Sequence, residues 1–160
     1  MSSPTTDVTA PATLKSNHIF TVKVYLTGER FQVNLFGGGI RIVEPIVKGV
    51  IDGPNFQATI AGGVAAPIIR NDTPGDRLNA TQSPYIYAYG RTSDGHPFYL
   101  HEEGIGNTNA QNTKLVMEVG GPYTYMQKLF IVATLNLVRK KGTDEIDVVE
   151  VECYNVSTVS

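Results

Sequence analysis

Hydrophobic and polar residues alternate with a period of two along most of the chain, and no stretch sustains a 3.6-residue amphipathic repeat. In residues 18–27, HIFTVKVYLT, Phe20, Val22, Val24 and Leu26 fall on one side, with Thr21, Lys23 and Tyr25 on the other. Residues 31–35 form a second short strand that runs into Gly37-Gly38-Gly39. No Lys-Ser/Thr follows these glycines, so they read as a connector and not as a phosphate loop. Residues 40–61 read as a hairpin turning at Gly53-Pro54. That turn pairs Ile51 with Phe56, Gly49 with Ala58 and Val47 with Ile60 on one apolar face. Pro45 lies close to Arg41 and Glu44, and their faces stay unassigned.

Residues 61–84, rich in Gly, Pro, Asn and Asp, read as a long surface excursion or a functional loop. The stretch YIYAYGRTSDGHPFYLHEEG, residues 85–104, is the strongest hairpin signal in the chain, with Asp94-Gly95 suited to a tight turn. With those two as the loop, Arg91 faces Phe98, Tyr89 faces Leu100 and Tyr87 faces Glu102. One face then holds Tyr85, Tyr87, Tyr89, Arg91, Phe98, Leu100 and Glu102, and this is the face expected to point inward. His101 and Glu103 point outward. A three-residue bulged loop would shift one arm against the other. Strands at 114–119, 129–138 and 145–156 complete the pattern, with one helical turn at 123–128 and a charged turn at 139–144. Residues 129–138 are apolar on both faces, as in a doubly covered strand or one at an oligomer contact, which makes a homodimer a candidate state. About eight strands separated by turns predict an all-β domain. A closed antiparallel barrel removes the edges that so many strands would otherwise expose.

Composition narrows the function classes. The chain has 160 residues and a formal charge of −2, with no basic run, which argues against nucleic-acid and anionic-membrane partners. Residues 1–16 are mostly Ser, Thr, Pro and Ala and are expected to form a disordered leader, leaving a single domain over 17–160. The lone cysteine, Cys153, excludes an internal disulfide and a cysteine-based zinc site, and fits a cytoplasmic location. No secretory signal and no 18-residue apolar run occur, so the sequons at Asn71, Asn79 and Asn155 read as chance matches.

Candidate chemistry concentrates in the central hairpin. His18, His96 and His101 lack the serine elbow of a hydrolase. His101 and Glu102 point to opposite faces of a strand and cannot chelate one ion, so no metal and no cofactor is expected. The specific constellation is one carboxyl, Glu102, among Tyr85, Tyr87, Tyr89 and Arg91. Burial raises a carboxyl's pKa and a nearby cation lowers it, which can tune such a group for proton transfer near neutrality. Glu102, Tyr87 and Arg91 are the candidate catalytic residues, and Tyr85, Tyr89, Phe98, Leu100 and Arg41 the candidate substrate contacts. Packing tyrosines and a solvated Glu102 at a barrel rim give the alternative, purely structural account.

The succession GGGIRIVEPIVKGVIDGPNFQATIAGG, YIYAYGRTSDGHPFYLHEEG, YTYMQKLFIVATLNL and VEVECYNV resembles the family called domain of unknown function 3237, over about residues 20–156. The resemblance implies a calycin-like antiparallel barrel without a cofactor. Fungal relatives of this type look like tailoring proteins of aromatic polyketide pathways, including phenalenone-type cyclases that add an oxygen across a prenyl double bond. Val64-Ala65-Ala66 stands where the family has an Asp and an aromatic after Gly62-Gly63. Tyr87 stands where it has an Arg, and Glu102 where it has an Asn. These departures imply a differently specialised lumen. Two functions follow: a cofactor-free cyclase acting on a prenylated phenolic substrate, or a non-catalytic carrier of an aromatic or apolar small molecule.

Overall fold

In the computed structural model, residues 4, 11–71, 80–139, 141–142 and 146–159 are described. Among them, eleven strands form in chain order: β1 (Thr13–Leu26), β2 (Phe31–Asn34), β3 (Ile40–Asp52), β4 (Gln57–Ala65), β5 (Ile68–Arg70), β6 (Thr81–Ser83), β7 (Tyr85–Thr92), β8 (Pro97–Gly106), β9 (Gln111–Val119), β10 (Ile131–Arg139) and β11 (Ile146–Val159). A 3-10 helix, Gly121–Lys128, links β9 to β10. The expected leader is shorter than its composition suggests: residues 13–16 already pair with β11, from Thr13 opposite Val159 to Ser16 opposite Val156. The rest of that expectation falls largely outside the described residues.

All pairings are antiparallel, and eight strands close a ring in the order β1, β11, β10, β9, β8, β7, β4, β3 and back to β1. The fold is the expected antiparallel barrel. Two of its staves are interrupted by proline. β4 and β5 both run along β3, on either side of Pro67, and β6 and β7 both run along β8, on either side of Pro84. Proline has no N–H to donate to a ladder, so each stave breaks there and resumes. The segment 61–84, expected as an excursion, is therefore largely barrel wall at its two ends, while residues 72–79 lie outside the described residues.

Period-two alternation fills the lumen. Phe20, Val22, Ile51, Phe56, Ile60, Phe98 and Leu100 are all buried, as the pattern predicts, together with Leu115, Met117, Ile131, Val151 and Cys153. β10 proves one-sided, with Ile131, Ala133 and Leu135 inside and Thr134 and Asn136 outside. One end of the barrel is capped by the 3-10 helix. Its Met126 is buried, and its Tyr123 packs edge-on against Phe56 with ring centroids 5.2 Å apart.

Both hairpins turn differently from expectation, with opposite consequences. In β3–β4 the Gly53 N–H donates to the Phe56 carbonyl (2.9 Å), so the loop has four residues and Ile51 pairs with Ala58 and Gly49 with Ile60. That shift is by two, which preserves the faces. Val47 is the exception. A bulge after Ile46 turns it outward, 53% exposed. In β7–β8 the loop is Ser93-Asp94-Gly95, closed by Thr92 N–H to His96 O (2.8 Å) and Gly95 N–H to Thr92 O (2.9 Å). Gly95 takes φ +93°, a left-handed conformation open to glycine without cost. This three-residue bulged loop shifts the pairing by one, placing Tyr87 opposite His101 and Ile86 opposite Glu102.

Candidate functional site

The one-residue shift decides which side chains share the lumen. Ile86, Ala88 and Thr92 of β7 point inward with Phe98, Leu100 and Glu102 of β8. Tyr85, Tyr87, Tyr89 and Arg91 point the other way. Tyr89 is 55% exposed, and Arg91 donates to the Gly95 carbonyl on the barrel's outside (3.2 Å). Tyr87 stacks flat on His101, centroids 5.3 Å apart. The expected cluster of Glu102 with Tyr87, Tyr89 and Arg91 therefore does not form. Phe98, Leu100 and Glu102 keep their expected interior places.

Glu102 is 1% exposed and sits between Ile86 of β7 and Leu115 of β9. Among the described residues its one hydrogen-bond partner is Thr113, whose hydroxyl donates to the carboxyl at 3.0 Å. Burial in hydrocarbon pushes the carboxyl's pKa up from 4.5 to about 7, and the Thr113 bond pulls weakly the other way. Burial thus favours the protonated form of this acid. Cys153 lies within its field. Burial, then the Glu102 charge, raises the thiol well above the usual range, so it stays protonated and unreactive.

The open end of the barrel holds a cavity of about 40 Å³, bounded by Leu26, Glu44, Gln82, Tyr85, Ile86 and Gln111 among others. Ile86, the cross-strand neighbour of Glu102, contributes to its lining. Polar groups concentrate at this end. Gln111 donates to the Gln82 side-chain oxygen (2.8 Å), and Arg30 Nε lies 3.2 Å from the buried Glu44 carboxylate. Arg41 donates to the Ala66 carbonyl (2.7 Å) and lies over the Tyr85 ring at 4.9 Å. Arg41 and Tyr85 thus meet each other, and of the two Tyr85 lines the cavity.

Sequence reasoning leaves the face of Glu44 unassigned and passes over Gln82, Gln111 and Thr113. Alternation carries a signal for three of them. Glu44 is in phase with Ile42 and Ile46, and Gln111 and Thr113 are in phase with Leu115, Met117 and Val119. Gln82 lies in the segment 61–84, whose composition reads as a loop. Among the described residues no three His, Cys, Asp or Glu side chains converge as metal ligands, and no helix is long and apolar enough to cross a membrane.

The sequence profile of the family described as Protein of unknown function (DUF3237) matches residues 14–134. The chain belongs to this DUF3237 family. No curated protein matches it. Solved structures share the fold at low identity. A conserved protein of unknown function from Rhodopseudomonas palustris is 21% identical with a TM-score of 0.74, over 92% of this chain and 100% of that one. A β-barrel-like protein from Acinetobacter baumannii is 15% identical with a TM-score of 0.71, over 92% and 99%. An enzyme from Penicillium herquei is 18% identical with a TM-score of 0.65, over 92% and 98%. The barrel fold is thus shared by bacterial and fungal chains, and Glu102 lies inside the part of this chain that the family profile covers.

Proposed function

We propose that this DUF3237 protein is a cofactor-independent cyclase, an isomerase that closes an oxygen ring on a prenylated aromatic polyketide by intramolecular hydroalkoxylation, with Glu102 as its acid. The observation that carries this reading is a carboxyl held partly neutral near pH 7 inside a hydrocarbon lumen. A pure carrier of apolar molecules has no use for such a group, and placing it there costs stability. The description of the Penicillium herquei neighbour as an enzyme supports the same choice.

The chemistry balances without a second reactant. Glu102 delivers its proton to one carbon of the prenyl double bond, and the other carbon becomes a tertiary cation. The substrate's own phenol oxygen bonds to that cation, and the phenolic proton returns to the Glu102 carboxylate. Substrate and product are isomers. Phe98 and Leu100 keep water from the cation, and Thr113 orients the carboxyl. Tyr87, Tyr89 and Arg91 have no part in it, being on the outer wall. Arg41 and Tyr85 serve at the mouth, where the guanidinium can hold a phenolic oxygen by a charge-assisted hydrogen bond. A cavity of about 40 Å³ is far below the roughly 300–1,000 Å³ of small-molecule pockets. Binding therefore requires the half-buried side chains at the mouth, Leu137, Ile146 and Tyr85, to move aside.

The test is incubation of the purified protein, without added cofactor, with a panel of prenylated phenolic polyketides. The expected product has unchanged mass and an altered chromatographic retention. Glu102→Gln keeps the side-chain shape and the Thr113 acceptor but removes the proton, so kcat should fall on the order of 10²-fold or more with KM little changed. Wild-type turnover by this variant would reject Glu102 as the acid, and retention of a ligand without conversion would assign the carrier role instead.

A further inference from the structure

The outer face opposite Glu102 carries a pattern the lumen chemistry does not use. On β7, β8 and β9 the pairing lines up three rows of outward residues. Tyr87, His101 and Val116 form the middle row; Tyr89, Tyr99 and Glu118 flank it on one side, and Tyr85, Glu103 and Lys114 on the other. The middle is aromatic: Tyr87 stacks on His101 and packs against Tyr99 at 6.4 Å, and His101 Nε2 lies 3.1 Å from the carboxylate of Glu103 in the flanking row. Tyr89 and Tyr99 remain 55% and 39% exposed. Grouped tyrosines half open to water are what contact surfaces enrich, and their burial would recover apolar area.

The flanking charges are arranged with twofold self-complementarity. Lys114 and Glu118 stand on the same strand, equally far from Val116, about 13 Å apart at strand rise. Rotating a second copy by half a turn about an axis along the middle row lays each row's neighbour over its opposite. Glu118 of one copy then meets Lys114 of the other, twice, and the Tyr99 hydroxyl meets the other copy's Glu103 carboxylate. Among the described residues neither Lys114 nor Glu118 makes an ion pair within its own chain; Lys114 lies over the Phe130 ring at 5.0 Å. The chain supplies its own complement at the required spacing. We infer that the β7–β8–β9 outer face joins two copies of this chain through a twofold contact, with Tyr87, His101 and Val116 at its centre and two Lys114–Glu118 pairs at its margin. The inference is independent of the Glu102 chemistry, which lies on the inner side of the same strands; Tyr85 alone belongs to both, at the edge of this face and in the cavity lining.

The experiment is sedimentation velocity with light scattering across a concentration series, on the full chain. The wild type should show twice the monomer mass with a concentration-dependent fraction of monomer. Lys114→Glu places two carboxylates opposite each other at both margins, and Glu118→Lys does the same with two ammonium groups. Either alone should weaken self-association on the order of 100-fold or more, because like charges would be juxtaposed twice. An equimolar mixture of the two single variants, and the double variant carrying both exchanges, should each regain the dimer, and that recovery also shows that the exchanges leave the barrel folded. A wild type that stays monomeric throughout, a single variant that dimerises as tightly as the wild type, or a mixture and double variant that fail to reassociate would each overturn the inference.

Discussion

Glu102 is a carboxyl whose burial costs the barrel stability, and the cost has a pH signature. In the unfolded chain its carboxyl titrates at an ordinary 4.5; in the barrel, burial moves it to about 7. The folded state therefore holds the proton more tightly than the unfolded state. The stabilising contribution of the protonated group is fully present below about 4.5 and is lost as pH rises through about 7. The interval corresponds to about 3 kcal/mol. Wild-type stability in urea should accordingly fall between pH 4.5 and 7 by an amount of that order from this group. Glu102→Gln, which cannot ionise, should remove that slope and be the more stable protein above pH 7. Parallel pH profiles for the two proteins would reject a buried, neutral-leaning Glu102. The same substitution is expected to destroy turnover, so stability and activity should move in opposite directions, as they do when a group is retained for its chemistry.

Turns decide how these residues are distributed, and they mark where the sequence stops being sufficient. Except at a bulge, as at Val47, alternation within each strand reports a face faithfully: every one of Phe20, Val22, Ile51, Phe56, Ile60, Phe98 and Leu100 is inside. What alternation cannot report is the relation between one strand's face and the next. That relation depends on loop length, and the same Asp-Gly pair serves a two-residue turn or the last positions of a bulged three-residue loop. In β3–β4 the difference is two and harmless; in β7–β8 it is one, and it sends Tyr87, Tyr89 and Arg91 outside while Glu102 stays in. Glu102 was thus legible as an interior acid from its phase with Phe98 and Leu100, whereas its companions were not. The bulge rests on Gly95 at φ +93°. A Cβ there meets no other atom within 4 Å, so Gly95→Ala tests backbone strain alone. It should destabilise the protein by about 1–2 kcal/mol, the cost of a left-handed alanine. An unchanged urea midpoint would mean that the turn relaxes to another form.

At the scale of the molecule the barrel depends on a strand that the family profile does not reach. The profile ends at residue 134, within β10, but the ring closes only because β11 lies between β10 and β1. Along that strand Val149, Val151 and Cys153 point into the lumen at 4% exposure or less, and Cys153 approaches Glu102 closely enough to feel its charge. Without β11, β1 and β10 would each present an unpaired edge, and Phe20, Val22 and Val24 would lose their wall on one side. Neither loss is offset elsewhere, since β2, β5 and β6 pair with β3 or β8 or with each other, and none reaches that side. Open apolar edges favour association between chains over folding within one. A chain ending at Arg139 should therefore lack a cooperative unfolding transition and a dispersed amide spectrum, and should bind hydrophobic dyes that the intact protein excludes. A truncated chain that unfolds cooperatively with dispersed amides would show that seven staves can close the ring, and that β11 serves some purpose other than holding the lumen shut.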